Sequence, residues 1–92
     1  MKVTIITVTL NSEKFLEDSI KSVIAQDYKD IEHIVVDSAS TDGTLAIIEK
    51  YKEHIAQWVS EKDAGMYDAI NKGMQLANGD IIGTLNSDDV LA

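Results

Sequence analysis

The sequence contains neither cysteine nor proline, and it has only five glycines, two histidines and eight basic residues among its 92 positions. Without cysteine there is no disulfide framework and no cysteine-based zinc or redox site. No apolar run approaches the roughly 20 residues that a helix needs to cross a bilayer. No repeat, low-complexity segment or linker divides the chain, so we expect residues 1–92 to form one folding unit.

The charge balance is acidic, because sixteen acids against eight bases give a net charge of −8. Nucleic acid is excluded as a partner, since binding it needs a basic surface. The overall field would also repel a nucleotide, which would therefore need a metal ion or a well-placed lysine. Both glycine-rich phosphate-binding motifs, G-x-G-x-x-G and G-x-x-x-x-G-K-[ST], are missing. A divalent metal is therefore the favoured means of holding an anionic ligand.

Apolar strands alternate with amphipathic helices along the chain. Runs of β-branched and apolar residues predict four strands, at residues 3–10, 31–37, 57–60 and 80–85, with the third at a sheet edge. Apolar positions at helical spacing predict three helices, at residues 13–26, 42–54 and 64–77. Asn11 and Ser12 offer an N-cap to the first helix. Asn78 and Gly79 would end the third helix in a left-handed conformation.

The order β-α-β-α-β-α-β predicts an α/β fold with an open, mostly parallel sheet, right-handed crossovers and helices on both faces. In such sheets ligands bind outside the carboxyl ends of the strands, where the strand order reverses. A polar cluster follows each predicted strand, at residues 11–12, 37–42, 60–65 and 86–89. We therefore expect these four clusters to meet at one sheet edge and to form a ligand site.

The cluster that follows the fourth strand is Asn86-Ser87-Asp88-Asp89, which offers hard oxygen ligands. Mg²⁺ and Mn²⁺ suit such a cluster, because they take few carboxylates, keep some water and share the remaining positions with substrate phosphates. An Asp-rich turn by itself is more often a helix cap. The residues alone leave both interpretations open.

Other polar residues near the strand ends also allow two interpretations each. Asp37 could accept a hydrogen bond from a base or ribose, or it could cap the following helix; Asp63 could be an N-cap alone. Lys62 and Lys72 are candidate local cations or solvated surface residues. His33 lies inside a predicted strand, and we interpret it as a sheet residue whose polar group a neighbour satisfies.

Two stretches resemble the N-terminal, nucleotide-sugar-binding half of bacterial family 2 glycosyltransferases: VTIITVTLNSEKFLEDSIKSVIAQDYKDIEHIVVDSASTDGT and EKDAGMYDAINKGMQLANGDIIGTLNSDD. VVDSASTDGT is similar to the nucleotide-binding loop of that family, and LNSDD is similar to its DXD-type metal motif. The resemblance covers essentially the whole chain, with the motifs in the family's order. It implies a GT-A (Rossmann-like) fold. The implied reaction transfers a sugar, with inversion, from a nucleotide-diphosphate sugar to a hydroxyl acceptor in polysaccharide or cell-surface glycan synthesis.

The resemblance also implies roles for individual residues. The nucleotide of a UDP-sugar would be bound by residues at the strand ends: Val8, Thr9, Leu10, Asp37, Asp63, Gly65, Asn86 and Ser87. Asp37 would contact the base or support its loop. Mg²⁺ or Mn²⁺ would be held by Asp88 and Asp89, with Asp88 bridging the metal to the diphosphate and Asp89 supporting it or capping a helix.

Three positions depart from the family pattern. Leu10 stands where an aromatic residue usually stacks on the base, Ser38 replaces a second acid in the nucleotide loop, and Asn86 replaces the first acid of the metal motif. These departures favour the alternative of a non-catalytic nucleotide-binding or interaction module with the same fold. The missing glycine-rich loop disfavours a nucleotidyltransferase, and the first strand lacks the acidic pair of a response-regulator receiver.

The resemblance further implies a second half that carries the acceptor site and the general base, beyond residue 92. We therefore expect the chain to be a piece of a longer protein, inactive by itself, that acts with a glycan or lipid-linked acceptor. The implied location is the cytoplasm, at the inner face of the membrane. An open sheet edge beside the fourth strand would expose unpaired backbone groups, so we expect a homodimer through that edge.

Overall fold

A computed structural model describes residues 2–26, 30–62 and 66–86 of the chain. The elements, in order, are β1 (Val3–Thr9), α1 (Leu16–Ile24), β2 (Ile31–Asp37), α2 (Thr44–Lys50), a 3₁₀ helix (Lys52–His54), β3 (Gln57–Ser60), α3 (Met66–Leu76) and β4 (Ile81–Asn86). The predicted β-α-β-α-β-α-β order is confirmed, although α1 and α2 are shorter than predicted. Across these ranges, no helix combines the length and the apolar character that crossing a membrane would require.

The four strands form one parallel sheet in the order β3-β2-β1-β4. The chain moves from β1 to β2 to β3 in one direction and then returns to place β4 on the other side of β1. The strand order therefore reverses between β1 and β4, and ligands bind at the carboxyl ends of such a strand pair. In this register Val8 lies between Val36 of β2 and Asn86 of β4, so the three strand ends are level.

Helices cover both faces of the sheet, as the sequence predicted. The cluster beneath α1 and α2 comprises Leu16, Ile20, Val35, Ile48 and Ile55. The cluster beneath α3 comprises Ile6, Ile34, Val36 and Ala69. Val35 alternates along β2 with Ile34 and Val36, and neighbouring side chains of a strand point to opposite faces. The almost continuous apolar run of β2 is explained by this burial on both sides.

The connection from α3 to β4 is held at the amino edge of the sheet by Thr4, Glu32, Asn78 and Gly79, which we call the amino-edge clamp. Oε1 of Glu32 accepts hydrogen bonds from the Thr4 hydroxyl at 2.9 Å and from the backbone N–H of Asn78 at 2.7 Å. The Thr4 hydroxyl oxygen accepts the Gly79 N–H at 2.9 Å. Burial tends to raise the pKa of Glu32, but the hydrogen bonds from Asn78 and Thr4 outweigh it and hold that pKa below its usual value.

The clamp corrects one expectation about the end of the third helix. Neither Asn78 nor Gly79 adopts a left-handed backbone, so the predicted left-handed C-cap is wrong. A glycine is needed at position 79 for a different reason, because a Cβ there would lie 2.7 Å from the backbone nitrogen of Thr4. Glycine is required at position 79 because the backbone there approaches β1 closely, although β1 lies far away in the sequence.

His33 is buried within β2, where the sequence places it. Its Nε2 lies 2.8 Å from the Thr7 hydroxyl on the neighbouring strand β1. Nδ1 has no hydrogen-bond partner within the described part of the chain. Burial disfavours the charged imidazolium and lowers the pKa of His33 to about 4. The ring is therefore neutral at neutral pH and packs inside the sheet as a structural residue.

Candidate functional site

The carboxyl ends of the strands meet at one edge of the sheet, as the sequence predicted. Thr9 of β1 pairs with Asp37 of β2, which pairs in turn with Ser60 of β3. On the other side of β1, Val8 pairs with Asn86, the last residue of β4. The polar clusters predicted to follow these strands therefore begin from a common edge, next to the point where the strand order reverses.

The loop after β1 turns at Asn11, whose φ of 48° lies in the left-handed region. The helix α1 begins later than predicted, so its N-cap position falls on Phe15, which makes no side-chain cap hydrogen bond. Oδ1 of Asn11 instead accepts the backbone N–H of Thr41 at 2.8 Å. The backbone N–H of Ser12 donates to the Thr44 hydroxyl oxygen at 3.0 Å. These groups join the loop after β1 to the loop after β2.

Asp37 ends β2 and is fully buried. Its Oδ2 accepts the Ser40 N–H at 2.9 Å and the Ser60 hydroxyl at 2.8 Å, and its Oδ1 accepts the Ser40 hydroxyl. Asp37 caps no helix, because the acid before α2 is Asp42, whose Oδ1 accepts the Thr44 N–H at 2.9 Å. The Thr44 hydroxyl also donates to Asp42 and, against the effect of burial, holds the pKa of Asp42 below its usual value.

Three residues at the end of β1 were predicted to line a nucleoside pocket. Val8 is half-buried and packs against the cluster beneath α3. Thr9 is buried, and its hydroxyl has no hydrogen-bond partner in the described part of the chain. Leu10 is 57% exposed, although it is apolar. The end of β1 therefore presents an exposed aliphatic side chain next to a buried hydroxyl with unused hydrogen-bonding capacity.

The two lysines offered by the sequence as local cations differ in their surroundings. Nζ of Lys72 on α3 lies 3.0 Å from a carboxylate oxygen of Glu61 and 3.7 Å from one of Asp68. Its charge is therefore balanced by neighbouring acids, and it ties α3 to the loop after β3. Lys62 is exposed in that loop. Within residues 2–26, 30–62 and 66–86, no three acidic, histidine or cysteine side chains group together as a metal site.

Several predicted site residues lie outside the described residues, namely Asp63, Gly65, Ser87, Asp88 and Asp89. Asn86 is described only through its backbone, as the end of β4 beside Val8. It is from this edge of the sheet that the chain continues towards the predicted metal motif.

Two serines at this edge were missed by the sequence reasoning. An Asp followed three residues later by a Ser is a local turn signal, so the pair Asp37 and Ser40 could have been found. Ser60 carries no such signal, because it reaches Asp37 across 23 positions of sequence. Only the pairing of β3 with β2 brings its hydroxyl to that carboxylate.

The sequence and the fold of this chain are both similar to those of known proteins. The model for glycosyl transferase family 2 matches residues 4–92. A glycosyltransferase of Mycobacterium tuberculosis is 42% identical over 88 residues, which cover 95% of this chain and 34% of that protein. The structure of TarS from Staphylococcus aureus, in complex with UDP-GlcNAc, has a TM-score of 0.89 and 33% identity over 98% of this chain and 27% of that chain. The mannosyltransferase PcManGT from Pyrobaculum calidifontis, in complex with GDP-Man and Mn²⁺, has a TM-score of 0.89 and 32% identity over 97% of this chain and 28% of that chain.

The chain spans about a third of the length of the curated relatives, between 34% and 36% for the first of them. Within that third, the fold with its four-stranded parallel sheet matches GT-A glycosyltransferases. Because the family model matches nearly every residue, we conclude that this chain belongs to glycosyl transferase family 2.

Proposed function

We propose that this chain is the nucleotide-sugar-binding part of an enzyme that transfers a sugar, with inversion, from a nucleoside diphosphate sugar to a hydroxyl group. The observation that carries the proposal is the reversal of strand order between β1 and β4, which puts Thr9, Leu10 and the end of β4 at the edge where such folds bind ligands. Relatives with the same fold support it, since TarS was solved with UDP-GlcNAc and PcManGT with GDP-Man. We take a UDP-sugar as the donor.

A divalent metal, Mg²⁺ or Mn²⁺, fits the chemistry of Asn86 and of the residues that follow it in the sequence. Asp88 and Asp89 supply hard carboxylate oxygens, and Asn86 supplies an amide. A chain of net charge −8 needs a cation to hold a diphosphate, and the charge of Lys72 is already balanced by Glu61 and Asp68. Asp88 would hold the metal, which when bound would neutralise charge on the diphosphate leaving group. Mn²⁺ accompanies GDP-Man in the PcManGT structure.

The remaining roles rest on the family resemblance. We propose that Val8, Thr9 and Leu10 face the nucleoside, and that residues 63, 65 and 87 complete the nucleotide site. The acceptor would be a glycan or a lipid-linked glycan in cell-surface polysaccharide synthesis, at the cytoplasmic face of a membrane. The name of TarS, a poly(ribitol-phosphate) β-N-acetylglucosaminyltransferase, supports an acceptor of this kind. The general base would lie beyond residue 92, so the 92 residues alone would not transfer sugar.

Binding of UDP to this chain is the experiment that tests the proposal. We expect calorimetry to show weak binding of UDP with Mn²⁺, and removal of the metal with EDTA to weaken it at least about tenfold, or about 1.4 kcal/mol. Asp88→Asn should have a similar effect. Asp80→Asn is the matched control, because Asp80 lies at the opposite edge, where it accepts the Lys2 N–H at 3.0 Å, and because both variants remove the same charge.

The possible outcomes separate the parts of the proposal. UDP binding that is unchanged by EDTA and by Asp88→Asn would contradict the metal site while leaving the nucleotide site. An absence of heat with UDP and Mn²⁺ would contradict nucleotide binding by these 92 residues. Sugar transfer catalysed by the 92 residues would show that the general base lies within them.

A homodimer through the outer edge of β4 is a further part of the proposal. In the described sheet, β4 pairs only with β1, and its Ile81 and Ile82 are 50% and 41% exposed. An unpaired strand edge with apolar side chains is prone to pair with another chain. We expect light scattering to show dimers that Ile82→Lys reduces to monomers. A monodisperse monomer for the unchanged chain would contradict this pairing.

A further inference from the structure

We infer that Asp37 is a positioning residue of the proposed nucleotide site, which joins the loops after β1, β2 and β3 into one unit and does not itself contact the nucleotide. The residues that carry the inference are Asn11, Asp37, Ser40 and Ser60, which we call the Asp37 hub. The part of the inference that concerns ligand binding rests on the proposed function. The joining of the three loops rests only on the contacts of the hub.

The Asp37 carboxylate is enclosed and already occupied by protein donors. It is fully buried, and both of its oxygens accept hydrogen bonds: Oδ1 from the Ser40 hydroxyl, and Oδ2 from the Ser40 N–H at 2.9 Å and the Ser60 hydroxyl at 2.8 Å. A base or ribose could reach this carboxylate only by displacing one of these groups, which would leave a buried polar group without a partner. Of the two roles implied for Asp37, the geometry therefore favours support of the loop.

The hub extends from Asp37 into the loop after β1. The Ser40 hydroxyl that donates to Asp37 also accepts the backbone N–H of Asn11 at 2.8 Å. In the reverse direction, Oδ1 of Asn11 accepts the N–H of Thr41 at 2.8 Å. The two loops therefore hold each other through both backbone and side chain, directly after Thr9 and Leu10 of the proposed nucleoside site.

The hub also extends into the loop after β3. The Ser60 hydroxyl donates to Oδ2 of Asp37, and the next residue, Glu61, donates its N–H to the Asp37 carbonyl oxygen at 3.0 Å. Glu61 also pairs with Lys72 of α3 at 3.0 Å. A displacement of Asp37 would therefore also displace the loop that leads from β3 to α3.

Backbone strain is concentrated around the hub. Among the described residues other than glycine, only Asn11 and Ala39 have positive φ, at 48° and 60°. Left-handed backbone is unfavourable for alanine and persists where surrounding contacts over-determine it, commonly at functional sites. Ala39 lies between Asp37 and Ser40, whose two mutual hydrogen bonds close the turn around it. The hub therefore maintains a loop conformation that the local sequence does not favour.

Hydrogen exchange of single backbone amides tests the inference. In Asp37→Asn we expect the amides of Asn11, Ser40 and Glu61 to exchange at least about tenfold faster. The Ser40 N–H loses a charged acceptor, and the Asn11 and Glu61 amides are held by the Ser40 hydroxyl and the residue 37 carbonyl oxygen, which the carboxylate positions. Ser60→Ala is the milder variant, and it should accelerate exchange at Asn11 about threefold, through the shared network. The amides of Asn78 and Gly79 at the opposite edge should not change. They report that the fold is intact.

One control variant and a binding measurement complete the experiment. Ser22→Ala removes a hydroxyl that donates to the Ser19 carbonyl oxygen within α1, and it should leave all hub amides unchanged. With Mn²⁺ present, the Kd for UDP should rise about tenfold in Asp37→Asn and about threefold in Ser60→Ala, in parallel with the faster exchange.

The results that would overturn the inference are distinct from failure of the proposed function. If Asp37→Asn weakens UDP binding while the three amides exchange as before, Asp37 contacts the nucleotide directly. If Ser60→Ala accelerates exchange only at Glu61, the loops are not joined. If the unchanged chain binds no UDP but the three amides exchange faster together in the variants, the joining of the loops is confirmed and the proposed function is wrong.

Discussion

Replacement of Gly79 by alanine should lower the free energy of unfolding by about 3 kcal/mol, at the upper end of the usual cost of overpacking. The new Cβ would clash with the Thr4 hydroxyl oxygen, and it would lie 2.7 Å from the Thr4 backbone nitrogen and 3.1 Å from the Lys2 carbonyl oxygen. Two of these atoms belong to the backbone at the start of the sheet, so no side-chain rotation relieves the clash. The connection between α3 and β4 would have to move away.

That movement would break more than one contact of the amino-edge clamp. The Gly79 N–H donates to the Thr4 hydroxyl oxygen at 2.9 Å, and the neighbouring Asn78 N–H donates to Glu32 at 2.7 Å. A buried carboxylate that loses a donor pays the cost of its desolvation without compensation. Because β4 begins directly after this connection, the position of Asn86 at the carboxyl edge should become less defined as well.

Urea unfolding followed by circular dichroism would measure this effect. Gly83→Ala is the matched control, because it makes the same substitution in β4, where the nearest atom to the new Cβ is Cδ1 of Ile5 at 3.5 Å, an ordinary contact. We expect Gly83→Ala to change the free energy of unfolding by less than about 0.5 kcal/mol. Equal effects of the two substitutions would show that close approach is not the reason for glycine at position 79.

Acidification should destabilise the fold through His33 before most carboxylates are protonated. The pKa of this ring is lowered by burial from 6.5 to about 4, so between these values the unfolded chain binds a proton that the folded chain excludes. Stability therefore falls as the pH decreases through this window, by up to about 1.4 kcal/mol per pH unit and about 3 kcal/mol in total. At pH values well above 6.5 the ring is neutral in both states and contributes no pH dependence.

Urea unfolding at a series of pH values would test this, with one variant for each histidine. His33→Gln should remove most of the loss of stability above the range in which carboxylates titrate. His54→Gln should retain it, because His54 is exposed in the 3₁₀ helix. Glu32 and Asp42 have lowered pKa values, so their stabilising contributions are lost only at pH values below their ordinary pKa values. A loss that persists in His33→Gln would contradict the assignment.

The strands were predicted more accurately than the helices, for a physical reason. The predicted ranges of the second and third strands match β2 (Ile31–Asp37) and β3 (Gln57–Ser60) residue for residue. A β-branched run bounded by polar residues is a local signal. The first helix begins three residues later than predicted, at Leu16. Asn11, which the sequence predicts to cap this helix, instead links the loops after β1 and β2. An asparagine before an apolar periodic segment is compatible with both roles, so the local sequence does not distinguish them.

At the candidate site, too, the position could be predicted from local sequence signals, whereas the contacts between loops could not. The alternation of strands with polar clusters predicted the carboxyl edge, and the resemblance predicted its residues. Neither predicted that Asp37 would be enclosed by Ser40 and Ser60, or that the Thr9 hydroxyl would be buried without a partner in the described part of the chain. These properties depend on which loops fold over the strand ends.

Local sequence patterns were sufficient to predict the succession of strands and helices along the chain, the burial of the sheet on both faces and the edge at which a ligand would bind. These features follow from local periodicity and from the right-handed connections of parallel strands, both of which act along the chain. The roles of Asp37 and Gly79, in contrast, depend on contacts between distant parts of the chain. Their partners Ser60 and Thr4 lie 23 and 75 positions away, and hydrogen bonds and steric exclusion act only between atoms that the fold has brought into contact.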